Sequence, residues 1–304
     1  MTCCDHLYQL LKARMPGAVM RQDEPLARHT TLRVGGCADV YVEPSSEEEL
    51  GAALQCCQNE NVAFLTLGRG SNLLVRDGGF RGVVICLAHP AFSTIQANGV
   101  ALHCGAGARL KAVAAKARQL DLGGLEFLDG IPGSVGGAIR MNAGAMGCAT
   151  FDVVTHVRFM DVAGNVEERD VAQVPVEYRS CPLFKTNIVL AATFRGQPDS
   201  RAAIAKRSGE FNKSRWQSQP KEASAGCIFK NPSKSIPAGR LIDELGLKGA
   251  RRGGAAVSTV HGNFIVNEGS ATAADVLELI EFIKSRARAE RGIELREEVE
   301  IIGE

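Results

Sequence analysis

The sequence lacks any long apolar run. No stretch approaches the roughly 18 consecutive apolar residues that a membrane-spanning helix needs. Asp5, His6 and Arg14 lie where a secretory signal would require an uninterrupted apolar core, and the Leu and Tyr spacing of this segment predicts a short amphipathic helix instead. We therefore expect a cytoplasmic protein with no membrane partner.

An excess of charge of either sign is also missing. The chain has 304 residues, with 35 basic and 34 acidic side chains and a net charge of +1. Proteins that bind nucleic acid usually carry a basic excess, so we expect no nucleic-acid partner. A small anionic ligand is still compatible with this balance, because it needs only a local group of cations.

Cysteine motifs are missing as well, although the chain has ten cysteines. No C-x-x-C occurs, so the spacing of a zinc ribbon is absent and we expect no metal site. We interpret most of the cysteines as small buried hydrophobic residues in a reducing compartment. Cys227 is the exception, because of the motif around it.

Strand-like and helix-like segments are mixed along the chain, which predicts an α+β or α/β protein of three units, 1–90, 91–198 and 199–304. Ser46 before three glutamates predicts a capped helix from residue 47. Asp77-Gly78-Gly79 between two strand-like runs predicts a hairpin-like connection. Further helices are predicted over 107–120, 200–215, 238–245 and 272–291. The last has an apolar stripe from Val276 to Ile283 and ends at Gly292. Ala163-Gly164-Asn165 predicts a turn between two strands. Strands are predicted near 38–42, 62–67, 73–75, 83–87, 100–104, 153–161, 166–170, 188–194, 255–258, 264–266 and 295–302.

A first glycine-rich loop, Gly68-Arg69-Gly70-Ser71-Asn72, follows a strand-like run, as a dinucleotide-binding loop would. The third glycine of G-x-G-x-x-G is missing, and the next residues, 73–75, predict a strand rather than a helix, which argues against a Rossmann site. Successive backbone N–H groups can still bind a pyrophosphate without a helix. Taken alone, the loop is better explained as a tight turn between strands.

A second glycine-rich segment, 123–147, holds eight glycines and includes the stretches 130–138 and 142–145. Such a segment has too few side chains to form a core by itself, and its glycines allow the backbone to approach a ligand closely. Two loops of this kind from successive units suit a large cofactor that carries phosphate. A connector without a ligand is the alternative.

The motifs together resemble the UDP-N-acetylenolpyruvoylglucosamine reductase family. The similarity runs in order from about residue 25 to residue 303. It implies an α+β protein with a two-part FAD-binding fold of the vanillyl-alcohol-oxidase type, followed by a C-terminal α/β substrate-binding domain. The matching motifs are G-x-G-S-N-L-L at 68–74, G-I-P-G-S-V-G-G-A at 130–138, N-A-G-A at 142–145, and the segments 29–31, 34–36, 178–179, 229–232, 261–267 and 298–303.

The resemblance also implies a reaction in two halves. NADPH reduces FAD, and flavin N5 then passes hydride to C3 of UDP-N-acetylglucosamine enolpyruvate, with protonation at C2, to give a precursor of the bacterial cell wall. The expected partners are therefore NADPH and this UDP-sugar, and we expect a monomer. No extra Tyr-bearing loop fits between Arg179 and Phe194, so the chain resembles the short form of the family.

Three catalytic residues are implied by the resemblance. Arg179 and Glu298 would flank the substrate carboxylate, where an arginine fork can pair with developing negative charge. Cys227 stands in A-G-C-I-F-K-N-P, at the position where the family usually has the serine that acts as the proton donor. A thiol, with an ordinary pKa near 8.5, is a better acid than a serine hydroxyl, provided that it stays protonated.

The binding residues are implied in the same way. Lys230 and Asn231 are expected beside the UDP part of the substrate, with Gln219 and Asn263 as weaker candidates. The cofactor-binding residues expected from the two glycine-rich loops are Gly68, Arg69, Gly70, Ser71, Asn72, Gly130, Ile131, Pro132, Gly133, Ser134, Gly136, Gly137, Ala138, Asn142 and Gly144.

Two other functions stay open at this stage. An FAD-dependent oxidase of small alcohols or sugars could use the same cofactor fold, with molecular oxygen in place of NADPH. A flavin- or UDP-sugar-binding regulator without activity is suggested only by the cysteine at position 227. The first predicts peroxide formation with a simple alcohol, and the second predicts binding of the UDP-sugar without turnover.

Overall fold

Contacts between residues divide the chain into two compact units in the computed structural model, which describes residues 3–233 and 235–304. Unit 1 comprises Met1–Gln22, Asp39–Arg69 and Gly82–Ser214, and unit 2 comprises Asp23–Ala38, Gly70–Arg81 and Arg215–Glu304. The division into three domains with boundaries after residues 90 and 198 stays a prediction.

The secondary structure mixes helices and short strands, in agreement with the predicted fold class. The helices are α1 (Cys3–Arg14), α2 (Glu47–Asn59), α3 (Leu110–Gln119), α4 (Val135–Met141), α5 (Arg201–Ser218), α6 (Ala238–Glu244) and α7 (Ala273–Arg291). The strands are β1 (Val19–Pro25), β2 (Cys37–Glu43), β3 (Phe64–Leu67), β4 (Leu73–Val75), β5 (Phe80–Cys86), β6 (Ile95–Asn98), β7 (Ala101–Gly105), β8 (Leu122–Gly123), β9 (Gly144–Ala145), β10 (Cys148–Ala149), β11 (Val154–Met160), β12 (Val166–Asp170), β13 (Ile188–Arg195), β14 (Gln197–Pro198), β15 (Ala223–Cys227), β16 (Arg251–Arg252), β17 (Ala255–Val257), β18 (Phe264–Asn267) and β19 (Glu300–Ile302).

One sheet has the strand order β1-β2-β5-β3, with β3 and β5 parallel. Helix α2 begins as the sequence predicts, because the Ser46 side chain accepts a hydrogen bond from the backbone N–H of Glu49 and three glutamates occupy the first turn. Leu50 and Leu54, on the apolar side of α2, are fully buried in the core of unit 1.

A second sheet of unit 1 has the order β12-β11-β13-β7-β6, and its neighbouring strands are antiparallel. The turn between β11 and β12 is the predicted one. Its geometry follows from the Asp161 carboxylate, which accepts hydrogen bonds from the backbone N–H groups of Ala163 and Asn165. Helix α4 and strands β7 and β13 contact one another, which brings the second glycine-rich segment onto this sheet.

Unit 2 contains the antiparallel sheet β15-β18-β17-β16, helices α6 and α7, and the parallel pair β19-β4. A capping box of Thr272 and Asp275 begins α7, and Gly292 ends it in the left-handed conformation at φ 63°, as predicted. The predicted apolar stripe of α7, from Val276 to Ile283, is buried in the core of this unit.

Three details differ from the sequence-based expectations. β4 pairs with β19 rather than with β5, so the turn at Asp77-Gly78-Gly79 forms but the hairpin prediction is wrong. The predicted terminal strand over 295–302 is regular only at Glu300–Ile302. Residues 135–141, expected as a loop, form α4, because Ser134 caps its first turn. Strand partners of this kind depend on segments distant in the sequence.

Most of the described cysteines are buried, as predicted. Cys56, Cys57, Cys86, Cys104 and Cys181 are buried, whereas Cys148 is exposed and Cys37 and Cys227 are partly exposed. Burial raises the pKa of the Cys57 and Cys104 thiols to about 12, so neither is a thiolate at neutral pH. The side chains of Cys3 and Cys4 lie outside the described residues.

Candidate functional site

A cavity of about 450 Å³ lies within unit 1. Its wall is formed by the end of β3, the turn after β5, the loop from β7 to α3, the start of α4 and the segment before β13. The lining residues are 64–69, 86–88, 93, 95, 106–109, 112, 134, 136–137, 140 and 184–189. The cavity is the candidate cofactor site, since both predicted glycine-rich loops contribute to it.

The two loops touch each other at Gly68 and Ser134. A Cβ atom on Gly68 would lie 2.7 Å from the Ser134 hydroxyl oxygen, so only glycine fits at position 68 without a shift. Five of the predicted cofactor-binding residues line the cavity: Gly68, Arg69, Ser134, Gly136 and Gly137.

Gly136 has a packing role that the sequence did not indicate. Its backbone N–H donates to the Ala106 carbonyl at 2.8 Å, and the Val135 N–H donates to the Ala108 carbonyl at 2.9 Å. A Cβ on Gly136 would lie 3.1 Å from the Ala106 Cβ. The start of α4 is thus held directly against the loop from β7 to α3, and both lie on the cavity wall.

The lining suits a cofactor that combines apolar rings with phosphate. Apolar side chains such as Phe64, Leu67 and Ile95 form one part of the wall. The cations Arg69, Arg109, Arg140 and Lys185 form another part, and within the described residues no carboxylate lines the cavity. No group of three or more His, Cys, Asp or Glu side chains among the described residues could hold a metal ion. The residues present therefore fit FAD.

The remaining residues of the second loop do not line the cavity. Gly130 to Gly133 lead into Ser134, and the Gly133 carbonyl accepts from the Leu110 N–H at 3.2 Å. Ala138 is buried inside α4, and Asn142 ends this helix in the left-handed conformation at φ 40°. Their direct contact with the cofactor stays a prediction, while their observed role is to shape the loop.

Gly70, Ser71 and Asn72 belong to unit 2 rather than to the unit that contains the cavity. Gly70 has φ 59°, and a Cβ there would lie 2.2 Å from the His29 carbonyl oxygen, so this glycine is required by the nearby His29–Thr31 backbone. The Thr31 N–H donates to the Gly70 carbonyl at 3.2 Å. The Asn72 side chain donates to the Glu298 carbonyl at 3.1 Å. Their role in cofactor binding stays a prediction.

Arg179 occupies a tight turn in unit 1. Glu177 and Ser180 exchange backbone hydrogen bonds across this turn, and Arg179 has φ 55°, a conformation that favours glycine. Its guanidinium lies 5.2 Å from the centre of the Tyr178 ring, and Nη2 lies 3.4 Å from the Gly144 carbonyl oxygen. Holding a non-glycine residue here costs about 1 kcal/mol, and such strain is concentrated at functional sites.

Cys227 ends strand β15, directly after an irregularity in the pairing with β18. The register shifts between Ser224 and Cys227, and Gly226 inside this bulge has φ 78°. A bulge turns the following side chain away from the regular alternation of a strand. The thiol of Cys227 is therefore partly exposed, unlike the fully buried side chains of Ile228 and Phe229 that follow it.

Glu298 lies on the segment that pairs with the residues after Cys227. The Glu298 N–H donates to the Ile228 carbonyl at 2.7 Å, and the Lys230 N–H donates to the Arg296 carbonyl at 2.9 Å. The segments that carry Cys227 and Glu298, 71 residues apart in the sequence, are thus neighbours in unit 2.

Asn263 and Asn231 have structural contacts. The Asn263 amide accepts from the Phe229 N–H at 2.9 Å and donates to the Phe229 carbonyl at 2.8 Å, and Asn263 is only 3% exposed. Asn231 accepts from the Ala238 N–H at the start of α6, and Gln219, just after α5, accepts from the Arg215 side chain. Substrate binding by these residues and by Lys230 stays a prediction. The structure shows that Asn263 holds the backbone of Phe229, two residues after Cys227.

Several cavity residues were not identified from the sequence. Arg109, Arg140 and Lys185 line the cavity, as do the small residues Ala106–Ala108. The only available signal was the run Gly105-Ala106-Gly107-Ala108 after a strand, which resembles the other small-residue loops. At Gly107 a Cβ would lie 2.0 Å from the Leu87 carbonyl oxygen, so this glycine is required where the loop passes the turn after β5.

Two known protein families match two different parts of the chain. Residues 38–169 match a family described as an FAD binding domain. Residues 219–302 match the C-terminal domain of UDP-N-acetylenolpyruvoylglucosamine reductase. The first match contains strands β3 and β5, nearly all of β2 and most of the cavity wall. The second contains the Cys227 and Glu298 segments.

Relatives of the same name match over nearly the whole chain. The UDP-N-acetylenolpyruvoylglucosamine reductase of Syntrophus aciditrophicus is 44% identical over 97% of this chain and 95% of its own length, and that of Rhodopseudomonas palustris is 45% identical over 96% and 95%. The crystal structure of the Thermus caldophilus reductase superposes with a TM-score of 0.82, at 36% identity, over 94% of this chain and 99% of that one. The chain therefore belongs to the UDP-N-acetylenolpyruvoylglucosamine reductase family and is an FAD-dependent oxidoreductase.

Proposed function

We propose that the protein reduces UDP-N-acetylglucosamine enolpyruvate to UDP-N-acetylmuramate with NADPH, a step in the synthesis of peptidoglycan precursors. The observation that carries the proposal is the pairing of the Cys227 and Glu298 segments through the Glu298 N–H and the Ile228 carbonyl. A proton donor and a carboxyl group on neighbouring segments suit the protonation of a carbon next to a carboxylate. Membership of the family supports the choice of substrate.

FAD, when bound, supplies hydride transfer from NADPH to C3 of the enolpyruvyl group. The addition of hydride at C3 leaves the electron pair of the double bond at C2, and a proton at C2 completes the reduction. The residues of this chain have two tasks, which are to stabilise the negative charge that spreads from C2 into the carboxylate and to deliver the proton.

Cys227 is the proton donor in this proposal. Its partly exposed thiol follows the bulge in β15, where a substrate can reach it. The thiol must be protonated to act, and it becomes a thiolate after the transfer. A thiol is a stronger acid than the serine hydroxyl that the family usually has at this position, so the replacement preserves the role.

Arg179 and Glu298 stabilise the developing charge. The guanidinium of Arg179 can pair with both oxygens of the substrate carboxylate. Its strained backbone at φ 55° supports a functional reason for arginine at a position that favours glycine. Glu298 assists as a protonated carboxyl group that donates a hydrogen bond, because an ionised carboxylate would repel the charge.

The UDP part of the substrate binds near Lys230 and Asn231 in this proposal, with Gln219 and Asn263 in supporting positions. Lys230 offers a cation for the diphosphate. The Asn231 and Asn263 amides are already bonded to backbone groups, so their contribution is to hold the segment 228–231 in place. Lys230 is accordingly the residue of this group for which we expect direct contact with the diphosphate.

The proposal is tested by an anaerobic titration in two stages. Addition of NADPH to the FAD-loaded protein should bleach the flavin absorbance, and addition of UDP-N-acetylglucosamine enolpyruvate should restore it. Bleaching without recovery would contradict the proposed substrate. Absence of bleaching by NADPH, with rapid peroxide formation from a simple alcohol in air, would instead identify an oxidase on the same cofactor fold.

A further inference from the structure

Two arginines stand where the two glycine-rich loops and helix α3 meet. Arg69 follows Gly68, the residue in contact range of Ser134, and Arg109 pairs with Ser134 through the backbone. Both arginines line the cavity of unit 1. Three segments that are distant in the sequence therefore bring two cations to the same part of the wall.

Neither cation is neutralised by the protein. Within residues 3–233 and 235–304, no carboxylate lines the cavity, and neither Arg69 nor Arg109 forms an ion pair. Other arginines of unit 1 do form ion pairs, for example Arg158 with Glu47 and Arg207 with Glu126. Cations that are gathered without a counter-charge are expected where an anionic ligand supplies that charge.

The position of Arg109 is also unfavourable for the stability of helix α3. It occupies the N-cap position, where serine, threonine, aspartate or asparagine normally supplies a side-chain hydrogen bond, and its side chain makes no such bond. A cation at the N-terminus of a helix is further disfavoured by the helix dipole. The position is therefore unfavourable for folding, which points to a ligand as the reason for the arginine.

We propose that Arg69 and Arg109 bind the pyrophosphate of FAD, and that they supplement the backbone N–H groups of the two loops. A pyrophosphate diester carries two negative charges, which two arginines balance, and arginine pairs with phosphate oxygens through two parallel hydrogen bonds. The inference rests on FAD binding alone. It does not depend on the proposed substrate or on NADPH.

Arg109→Ser is the most specific test, because it should stabilise helix α3 and at the same time weaken FAD binding. Serine can cap α3 and removes the unfavourable cation, so the melting temperature of the FAD-free protein should rise, by about 1–3 °C. The dissociation constant for FAD, measured by dialysis of the holoenzyme against known FAD concentrations, should increase by about tenfold or more. Arg69→Met should weaken FAD binding without the gain in stability.

Riboflavin and salt serve as controls, and Arg118→Ser is the matched variant. Riboflavin has no phosphate, so its affinity should not change in Arg109→Ser, and the FAD affinity of this variant should fall less steeply with added NaCl than that of the wild type. Arg118 is exposed on the same helix and lies outside the cavity, so its variant should bind FAD normally. An unchanged FAD affinity in both cavity variants would overturn the proposal. An equal loss of FAD and riboflavin would overturn it as well, since it would indicate a general change in cavity shape.

Discussion

The side-chain amide of Asn72 donates a hydrogen bond to the backbone carbonyl of Glu298 at 3.1 Å. The backbone carbonyl of Asn72 also accepts from the Glu300 N–H at 3.0 Å. The first glycine-rich loop is thereby joined to the segment that carries a proposed catalytic carboxyl group. The Glu298 N–H is in turn bonded to Ile228, so the backbone of Glu298 is fixed from two sides.

Substitution of Asn72 should therefore affect catalysis. In Asn72→Ala we expect kcat to fall by about tenfold, since one lost hydrogen bond of about 1–1.5 kcal/mol loosens the Glu298 backbone. The FAD affinity should stay within about twofold of the wild-type value. Steady-state kinetics and FAD titration separate the two effects, with Asn165→Ala in the exposed β11–β12 turn as the control. A loss of FAD affinity with normal kcat in the saturated enzyme would support cofactor binding by Asn72 instead.

Removal of the Cys227 thiol should abolish proton delivery. Cys227→Ala should lower kcat by about 100-fold or more, which is the usual contribution of a general acid, and Cys227→Ser should recover part of it. The exposed Cys148 offers a matched control, and Cys148→Ala should turn over normally. Near wild-type turnover by Cys227→Ala would exclude the thiol as the proton donor, whereas rapid reduction of its flavin by NADPH is expected in either case.

Arg179 should show a conflict between stability and activity. Arg179→Gly removes the backbone strain at φ 55°, while Arg179→Ala retains it, so the glycine variant should exceed the alanine variant in free energy of unfolding by about 1 kcal/mol. Both variants should lose turnover, because both lack the guanidinium. Urea unfolding compares the two stabilities directly. Equal stabilities would mean that the turn relaxes to another conformation in the alanine variant.

An ion-pair group holds the start of the second glycine-rich segment, 123–147. Arg207 lies 2.6 Å from the carboxylate oxygens of both Glu126 and Asp199, and the Glu126 side chain is only 5% exposed. The hydrogen bonds that Arg207 donates to Asp199 and Glu126 raise its pKa. Asn212 adds a bond of 3.1 Å to Asp129. Helix α5 has one buried residue, Ile204, so its attachment depends on such polar contacts.

Loss of Arg207 should therefore destabilise unit 1. Arg207→Met leaves the buried Glu126 carboxylate with the Gly124 N–H, at 2.8 Å, as its hydrogen-bond donor among the described residues. We expect a loss of about 2 kcal/mol in the free energy of unfolding. Arg201, on the same helix α5, forms only an exposed ion pair with Asp121, so Arg201→Met should leave the free energy of unfolding unchanged within error. Chemical denaturation gives both values. If the ion pair is the cause, adding Glu126→Gln to Arg207→Met should restore part of the lost free energy of unfolding.

His261 should make stability depend on pH. Burial, together with nearby Lys248, lowers the pKa of His261, and its Nδ1 accepts from the Asn263 N–H at 3.1 Å, which requires an unprotonated nitrogen. The unfolded chain binds a proton near pH 6.5, whereas the folded protein resists it to a lower pH. The stabilising effect is therefore complete above about pH 6.5 and is lost as the pH falls toward the folded pKa.

The matched comparison is the melting temperature between pH 7.5 and pH 5. We expect a smaller decrease in His261→Gln than in the wild type, and an unchanged decrease in His156→Gln, because His156 is exposed. Parallel curves for all three proteins would show that carboxylates alone cause the acid sensitivity.

Local features of the fold were predictable because they depend on neighbouring residues. The Ser46 cap of α2, the turn at Ala163-Gly164-Asn165 and the Gly292 end of α7 each follow from residues within a few positions, and the structure confirms all three. The partner of β4 was predicted wrongly, because it is β19, more than 200 residues away. Pairing between distant strands is decided by the packing of the whole unit and leaves little local signal.

The residues of the candidate site also divide into those that a local motif identifies and those that only folding brings together. The sequence identified Gly68, Ser134 and Gly136 through glycine-rich motifs, and the structure brings them together on one cavity wall. It did not identify Arg109 or Arg140, because a single arginine on a helix looks like any solvated cation. Nor did it indicate that the Asn263 amide binds the backbone of Phe229, since that contact joins residues 34 positions apart.

By itself, the sequence determined the family, the FAD-binding class and the candidate catalytic residues, because motifs of several residues in a fixed order are specific even without coordinates. The tertiary structure alone decided which candidate residues line one cavity, and which candidate side chains hydrogen-bond to backbone groups of the protein. It also revealed the conformational strain at Arg179 and the unfavourable placement of Arg109 on α3. The physical reason is that strain, burial and unbalanced charge depend on atoms that become neighbours only after folding.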